Sequence, residues 1–152
     1  MLENFAGAQG ELRKTAKIKQ QEITFLRPTY LPPDVNKLQE YDLGGKIGED
    51  FSCGSHRYKY NTGPFRIYQS PLSSKDDVGL YTGLTEQGKY GNRTAMDVFD
   101  KVIINNNQGF YVYFKGESKI LIWKTNDSII RIVSEDVCGH SKEELIKTAQ
   151  SM

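Results

Sequence analysis

The last third of the chain alternates short apolar runs with turn-forming clusters. Runs rich in β-branched and aromatic residues occupy positions 102–105, 110–114, 119–124 and 128–133, and runs of this kind are typical of strands. The segments between them are rich in Asn, Asp and Gly, which favour tight turns. The pattern therefore predicts an antiparallel meander.

Side chains alternate between two faces within these predicted strands. In residues 110–114, the Phe and Val side chains share one face, and Tyr111 and Tyr113 share the other. Apolar residues likewise fall on both faces of residues 119–124. A sheet with two apolar faces is expected to be covered on one side and partly shielded on the other. We expect the face of Tyr111 and Tyr113 to be the uncovered one, and therefore a contact surface.

A helix is predicted at the C-terminus. Ser141 and Glu144 match a capping box, in which the Ser hydroxyl accepts the amide of the Glu and the Glu carboxylate reaches back. An apolar stripe at helical spacing follows, which suits packing on a sheet: Leu145, Ile146, Ala149 and Met152. The predicted fold is α+β, with a curved antiparallel sheet of about five to seven strands and the C-terminal helix packed on one face.

The earlier part of the chain has weaker signals. Residues 22–27 and 37–43 have the composition or alternation of strands, and residues 56–60 and 65–68 predict a hairpin around an Asn-Thr-Gly-Pro turn. Residues 71–94 are polar and rich in Gly, Ser, Lys and Asp. They predict a long loop with one short element inside it, and this loop is a second expected contact surface.

Length and charge fit one domain over residues 22–152, preceded by a linker or N-terminal extension over residues 1–21. The chain has 152 residues, enough to bury a core, and its 20 basic and 19 acidic residues leave a net charge of +1. Since a net charge this small gives the chain no overall positive potential that would attract DNA, no nucleic-acid partner is expected.

The sequence contains neither a membrane span nor a nucleotide-binding motif. No apolar run reaches the roughly 18 residues of a membrane span, and phosphate-loop and dinucleotide motifs are absent.

Five segments, in order, carry a resemblance to a known family. They are YLPPD (Tyr30–Asp34), FRIYQSP (Phe65–Pro71), VIINNNQGFY (Val102–Tyr111), ILIW (Ile120–Trp123) and SKEELIKTAQSM (Ser141–Met152). Through these segments, residues 24–152 resemble the bacterial domain-of-unknown-function family 4367. Two positions depart from the family pattern, because Val35 and Asn106 stand where glycines are expected. Asn tolerates a positive φ better than other non-Gly residues, so Asn106 is still compatible with the hairpin turn of the family pattern.

The resemblance implies a non-enzymatic, extracytoplasmic domain of the kind found in anti-sigma-factor-like and lipoprotein-like proteins. Its partner would be a protein or an envelope ligand, and no cofactor is implied. Contact with a membrane would come only through a segment outside this chain, as in a soluble domain of a longer anchored or exported protein. If Met1 is the natural start, the protein is instead expected in the cytoplasm.

The cysteines and histidines of the chain form two pairs, Cys53-Gly-Ser-His56 and Cys138-Gly-His140. If the pairs meet, two thiolates and two imidazoles supply the ligands of a tetrahedral zinc site. A disulfide between Cys53 and Cys138 is favoured over zinc, since it suits an oxidising compartment. Two unrelated thiols are the simplest interpretation, and two cysteines alone do not decide among the three.

Cations and aromatic residues alternate in residues 56–60, where Arg57, Tyr58 and Lys59 are candidates for contacts with a partner. Such interleaving occurs in proteins that bind single-stranded nucleic acid, but ordinary strand alternation explains it better. Three acidic pairs are interpreted as solvated loop charge: Glu49-Asp50, Asp76-Asp77 and Glu135-Asp136.

Three functions follow from these features. The leading hypothesis is a non-enzymatic extracytoplasmic module that senses or binds a protein, peptide or envelope ligand. The alternative is a carrier for a lipid-like or other apolar ligand, which requires a cavity between sheet and helix. The third is a metal-dependent enzyme that uses Cys53, His56, Cys138 and His140.

Overall fold

Seven strands form one antiparallel sheet in the computed structural model of the chain, which describes residues 25–57 and 61–152. The strands are β1 (Val35–Asp42), β2 (Ile47–Cys53), β3 (Phe65–Pro71), β4 (Val98–Ile104), β5 (Asn107–Phe114), β6 (Ser118–Lys124) and β7 (Ser128–Glu135). Their order across the sheet is β1-β2-β3-β7-β6-β5-β4. Within the same residues lie two α-helices, α1 (Lys75–Gln87) and α2 (Lys142–Gln150). The predicted α+β fold class is confirmed.

The sheet consists of two meanders joined at its centre. β1, β2 and β3 form one of them, and β4 to β7 form the other, which contains the meander predicted from residues 102–133. β3 joins the two by pairing with β7 along its whole length. α1 then carries the chain from β3 to β4. Among the strands that the structure describes, β1 and β4 are the two at the edges of the sheet.

Each face of the sheet carries a core. On one face, Leu145 and Ala149 of α2 pack in a cluster with Tyr111, Leu121 and Trp123. On the other face, Leu84 of α1 belongs to a cluster of strand residues that comprises Phe110, Val112, Phe114, Ile120, Ile122, Ile129 and Val133. Leu145 and Ala149 are fully buried. The predicted packing of the C-terminal helix on the sheet is therefore confirmed, as is its capping box.

The expectation of an uncovered face beside Tyr111 and Tyr113 is wrong. α2 covers that face, and Tyr111 is only 4% exposed. The opposite face is covered as well, because residues 75–87 form a 13-residue helix, α1, where the sequence predicts a long loop with only one short element. Gly79 and Gly83 lower the helix propensity of this segment. Its apolar side chains pack together against the cluster on this face, but the buried Asp77 lies on the same side of the helix. A carboxylate within the stripe makes the helix hard to recognise in the sequence.

β3 pairs with β2 rather than with the residues predicted as its hairpin partner. Asp50 of β2 lies opposite Arg66 of β3. Glu49 and Asp50 interrupt the apolar pattern of β2, which is why the strand is not recognisable from the sequence. Residues 56–57 follow a turn after β2, and residues 58–60 lie outside the described residues.

The N-terminal strand predictions are partly correct. β1 overlaps the strand predicted over residues 37–43. Residues 25–27, however, are not in a strand, and residues 22–24 lie outside the described part of the chain. The physical reason lies at Leu26, whose backbone N–H and C=O both bond to the side-chain amide of Gln69, at 2.9 and 2.6 Å. The backbone hydrogen-bonding groups of Leu26 are therefore paired with a side chain and not with a neighbouring strand.

Two turns explain the departures from the family pattern. Asn105 and Asn106 form the two-residue turn between β4 and β5 and have φ values of 48° and 70°, as a type I′ hairpin requires. Asn106 thus adopts the conformation expected of the missing glycine. In the other turn, Asp34 takes the positive φ of 65°, and Val35 begins β1 as a buried residue.

Candidate functional site

A disulfide joins Cys53, at the end of β2, to Cys138, at the end of a short 3₁₀ helix that follows β7. The two Cα atoms are 5.7 Å apart, although the residues are 85 positions apart in the sequence. The two Cys-His pairs singled out in the sequence therefore meet in the fold. Of the three interpretations, the disulfide is the one that the structure contains.

Each cysteine lies at a tight turn that needs a glycine. The Cys53–His56 turn is closed by two backbone hydrogen bonds of 3.0 and 2.9 Å, and Gly54 in it has a φ of 57°. Gly139, which follows Cys138, has a φ of 69°. No atom lies within 4 Å of a Cβ added at either glycine, so the backbone conformation, not lack of space, accounts for glycine there.

The two turns border a groove of about 400 Å³. It is lined by residues 33–34, 53–56 and 137–140, together with Glu144 at the beginning of α2. We call this surface the disulfide groove. It contains all four residues of the two Cys-His pairs. Its lining includes the exposed side chains of His56 and Val137, so it offers both a polar and an apolar contact.

His140 forms part of the wall of the groove and is held in place by packing and hydrogen bonds. Its Nδ1 atom lies 2.7 Å from the hydroxyl oxygen of Ser134, and its ring packs edge-on against Phe65 at 5.3 Å. Lys119 donates a hydrogen bond to its carbonyl oxygen. Burial lowers the pKa of His140, with Glu144 opposing and Lys119 reinforcing the shift. His140 therefore supports the groove as a neutral side chain.

The predicted zinc ligands cannot act as a set in this form of the protein. A thiolate is required for a Cys to bind zinc, and both sulfur atoms are in the disulfide. The Nδ1 atom of His140 is already bonded to Ser134. Among residues 25–57 and 61–152, no group of three or more His, Cys, Asp or Glu side chains is arranged to hold a metal ion. Zinc binding by Cys53, His56, Cys138 and His140 would require reduction first.

The predicted contact residues are dispersed. Tyr111 lies under α2, where burial raises its pKa to about 12. The Tyr113 hydroxyl donates to the carboxylate of Asp136 at 2.9 Å, and this bond raises the pKa of Tyr113. Arg57 is exposed and follows His56 of the groove in the chain, whereas Tyr58 and Lys59 lie outside the described residues. Of the three candidates within the described residues, Tyr111 and Tyr113 lie away from the groove and Arg57 directly follows one of its lining residues in the chain.

A buried ionic cluster between α1 and the sheet was not expected from the sequence. Asp77 is 2% exposed, and its carboxylate accepts from the Ser70 hydroxyl at 2.7 Å. The same carboxylate lies 3.1 Å from Lys46 and 3.3 Å from Arg131. Although burial works to raise the pKa of Asp77, these partners lower it on balance. The cluster fixes α1 to the sheet.

The acidic pair in β2 is also buried, which corrects its interpretation as solvated charge. Glu49 forms ion pairs with Lys37 at 2.9 Å and Arg27 at 3.2 Å. Asp50 accepts from the side chains of Gln39 and Tyr41, at 2.7 and 3.1 Å. These contacts tie β1 and the segment before it to β2. The pairing of each carboxylate with cations or hydrogen-bond donors allows it to be buried.

Comparison with models of known protein families finds no match for this chain, and comparison with curated proteins finds none either. The resemblance to family 4367 therefore stays a prediction. Within the residues that the structure describes, no helix is long and apolar enough to cross a membrane.

Proposed function

We propose that this chain is an extracytoplasmic interaction domain that binds a segment of a partner protein at the disulfide groove. The observation that carries the proposal is the Cys53–Cys138 disulfide, which ties two exposed turns together beside an open groove. The domain would act by binding. A ligand that binds one arrangement of the domain more tightly than another would shift the domain toward that arrangement.

The disulfide supports the compartment in this proposal. Disulfides form and persist in oxidising compartments outside the cytoplasm and are rare where thiols are kept reduced. The chain has two cysteines, and both are in this bond. The domain thus has no free thiol that an oxidising compartment would modify.

The chemistry of the rim supports a protein ligand. Val137 is 55% exposed, and such a side chain gives an apolar contact. His56 lies on one side of the groove, and the acidic Asp34 lies on another. A surface that mixes one apolar contact with polar and acidic side chains suits a polypeptide better than a uniformly apolar molecule. The disulfide also keeps the two turns in place, which reduces the entropic cost of binding.

The carrier hypothesis finds no comparable support. A carrier needs a cavity of several hundred Å³ lined by apolar side chains. The region between α2 and the sheet is instead filled by Leu121, Trp123, Leu145 and Ala149, each at most 2% exposed. Catalysis by a cysteine nucleophile needs a thiolate, which neither Cys53 nor Cys138 provides while the disulfide is intact.

Site-specific photo-cross-linking in the native host tests the proposal. A photoreactive amino acid replaces Ser55 or Val137 in the groove, and Asn126 in the turn between β6 and β7 serves as the exposed control. We expect one and the same adduct from Ser55 and Val137, and none from Asn126. Charge reversal by Asp34→Lys should weaken that adduct. Equal adducts from all three positions, or none from the groove, would contradict the proposal.

A further inference from the structure

The two edges of the sheet differ in how open they are to another strand. β1 is irregular, with a shift in its register between Lys37 and Gln39. Lys37 and Glu40 of β1 also form ion pairs, at the edge, with Arg27 and Glu49. Irregular register and clustered charges are devices that keep an edge from pairing. β1 is therefore a protected edge.

β4 has a regular register and exposes apolar side chains. It pairs with β5 without a shift from Val98 to Ile104, and it is the last strand of the sheet in the described residues. Phe99 is 39% exposed and Ile103 is 63% exposed, with the exposed Lys101 between them. Alternation puts these three side chains on one face. The ring of Phe99 is held by Phe110, with 5.6 Å between centroids.

The same three residues have backbone groups that point away from the sheet. Because Asn105 and Asn106 form a two-residue turn, the residues that flank it are a hydrogen-bonded pair, and every second residue along the strand bonds to β5. Ile104 flanks the turn, so Phe99, Lys101 and Ile103 are the alternate residues. Their N–H and C=O groups are thus directed to the open side of β4.

We propose that β4 binds an extended segment of a partner protein, which adds to the sheet as an eighth strand. The segment carries an acidic side chain opposite Lys101 and an apolar side chain two positions to either side of it, opposite Phe99 and Ile103. Main-chain hydrogen bonds supply affinity in such strand addition, and alternate side chains supply specificity. Cross-strand pairs of opposite charge and of apolar side chains are the pairs that stabilise a sheet.

Charge disfavours the most obvious other occupant, a second copy of β4, in the register that pairs its apolar side chains. An antiparallel pair of β4 strands that places Phe99 opposite Ile103 also places the two Lys101 side chains opposite each other. Like charges directly opposite are destabilising. In this register the charge of Lys101 therefore favours an acidic partner over a second copy of β4.

This surface is separate from the disulfide groove. Four strands lie between β2 and β4, which corresponds to about 24 Å at the usual strand spacing. The proposal therefore goes beyond the function proposed above, and either can fail without the other.

Amide hydrogen exchange, followed by NMR, tests the proposal with a synthetic peptide. The probe is a capped heptapeptide with glutamate at its centre, valine two positions to either side, and threonine elsewhere. We expect it to slow exchange at Phe99, Lys101 and Ile103 and to leave the amides of β1 unchanged. The same peptide with lysine at its centre should bind about fivefold more weakly. A glutamate-centred peptide with N-methylated backbone amides should not bind.

Charge reversal supplies the matched variant. Lys101 is exposed, so the substitution Lys101→Glu should leave the fold intact. The variant should bind the lysine-centred peptide more tightly than the glutamate-centred one. The proposal would be overturned by no slowing at millimolar peptide, by equal binding of the glutamate- and lysine-centred peptides, or by unchanged binding after N-methylation. Slowing at β4 that depends on protein concentration without peptide would show self-association, and would overturn it as well.

Discussion

Asp77 in the first turn of α1 and Arg131 in β7 form an ion pair with an N–O distance of 3.3 Å, although they are 54 residues apart in the chain. Ser70 in β3 and Lys46 before β2 bind the same carboxylate. One buried side chain thus connects α1 to both meanders of the sheet. The beginning of the helix is fixed by charge, and Leu84 near its end is fixed by apolar packing.

Asp77→Asn should lower the free energy of unfolding by about 3 kcal/mol, because it leaves the largely buried Arg131 without its counter-charge. Urea unfolding at neutral pH measures the effect. Asp76→Asn is the matched control, since Asp76 is exposed in the same turn and should change stability by no more than about 0.5 kcal/mol. Equal effects of the two substitutions would mean that the ionic cluster does not stabilise the fold.

The contribution of Asp77 should depend on pH. Its pKa in the folded protein is lowered, so the unfolded chain takes up the proton first as the pH falls. The stabilisation is therefore complete above about pH 4, the ordinary range of the group, and is lost as the pH falls through the folded value. The difference in unfolding free energy between the native protein and Asp77→Asn should shrink below pH 4 or so. A difference that stays constant down to acid pH would contradict this assignment.

Reduction of the disulfide should lower the free energy of unfolding by about 4.5 kcal/mol, the value that the chain-entropy model gives for a loop of this length. Unfolding with and without a reductant measures the change. The double variant Cys53→Ser, Cys138→Ser is the control, and its stability should not respond to the reductant. An equally stable reduced protein would show that the two turns are held together by other contacts.

His140 should titrate below the ordinary histidine range of about 6.5, because burial lowers its pKa. The unfolded state therefore binds the proton first, and stability should decline as the pH falls below about 6.5. NMR titration of the imidazole measures the pKa. Glu144→Gln keeps a capping residue at this position but removes a charge that raises the pKa of His140, so it should lower that pKa further. A midpoint at or above the ordinary value would contradict the burial of His140.

The strength of each periodic signal decided which elements were predictable. β5, β6 and α2 have long alternating or helical patterns, and they appear in the structure where they were predicted. β2 is not predicted, and α1 is predicted only as one short element within a loop, in each case because of residues within the element. α1 contains Gly79 and Gly83, and β2 has two carboxylates in the middle of a short strand. In both elements, buried carboxylates are stabilised by partners that are distant in the sequence, such as Arg131 for Asp77. A local sequence pattern does not reveal such partners.

The sequence identifies the residues of the candidate site, but it does not determine whether the two cysteines are free, bound to a metal or joined in a disulfide. The sequence placed Cys and His together twice, and the fold brings the two pairs to one groove. Only the distance between Cys53 and Cys138 distinguishes a disulfide from unrelated thiols, and spacing along the chain does not determine it. The face chosen by α2 was likewise undetermined, because both faces of β5 and β6 are apolar.

The most direct measurement is thiol trapping of the protein in its native host. Cells are quenched in acid, and free thiols are then labelled with an alkylating reagent before and after reduction. We predict no label on the chain before reduction and two labels afterwards, on Cys53 and Cys138. Two labels before reduction would place the protein in a reducing compartment and would contradict a disulfide-stabilised extracytoplasmic domain.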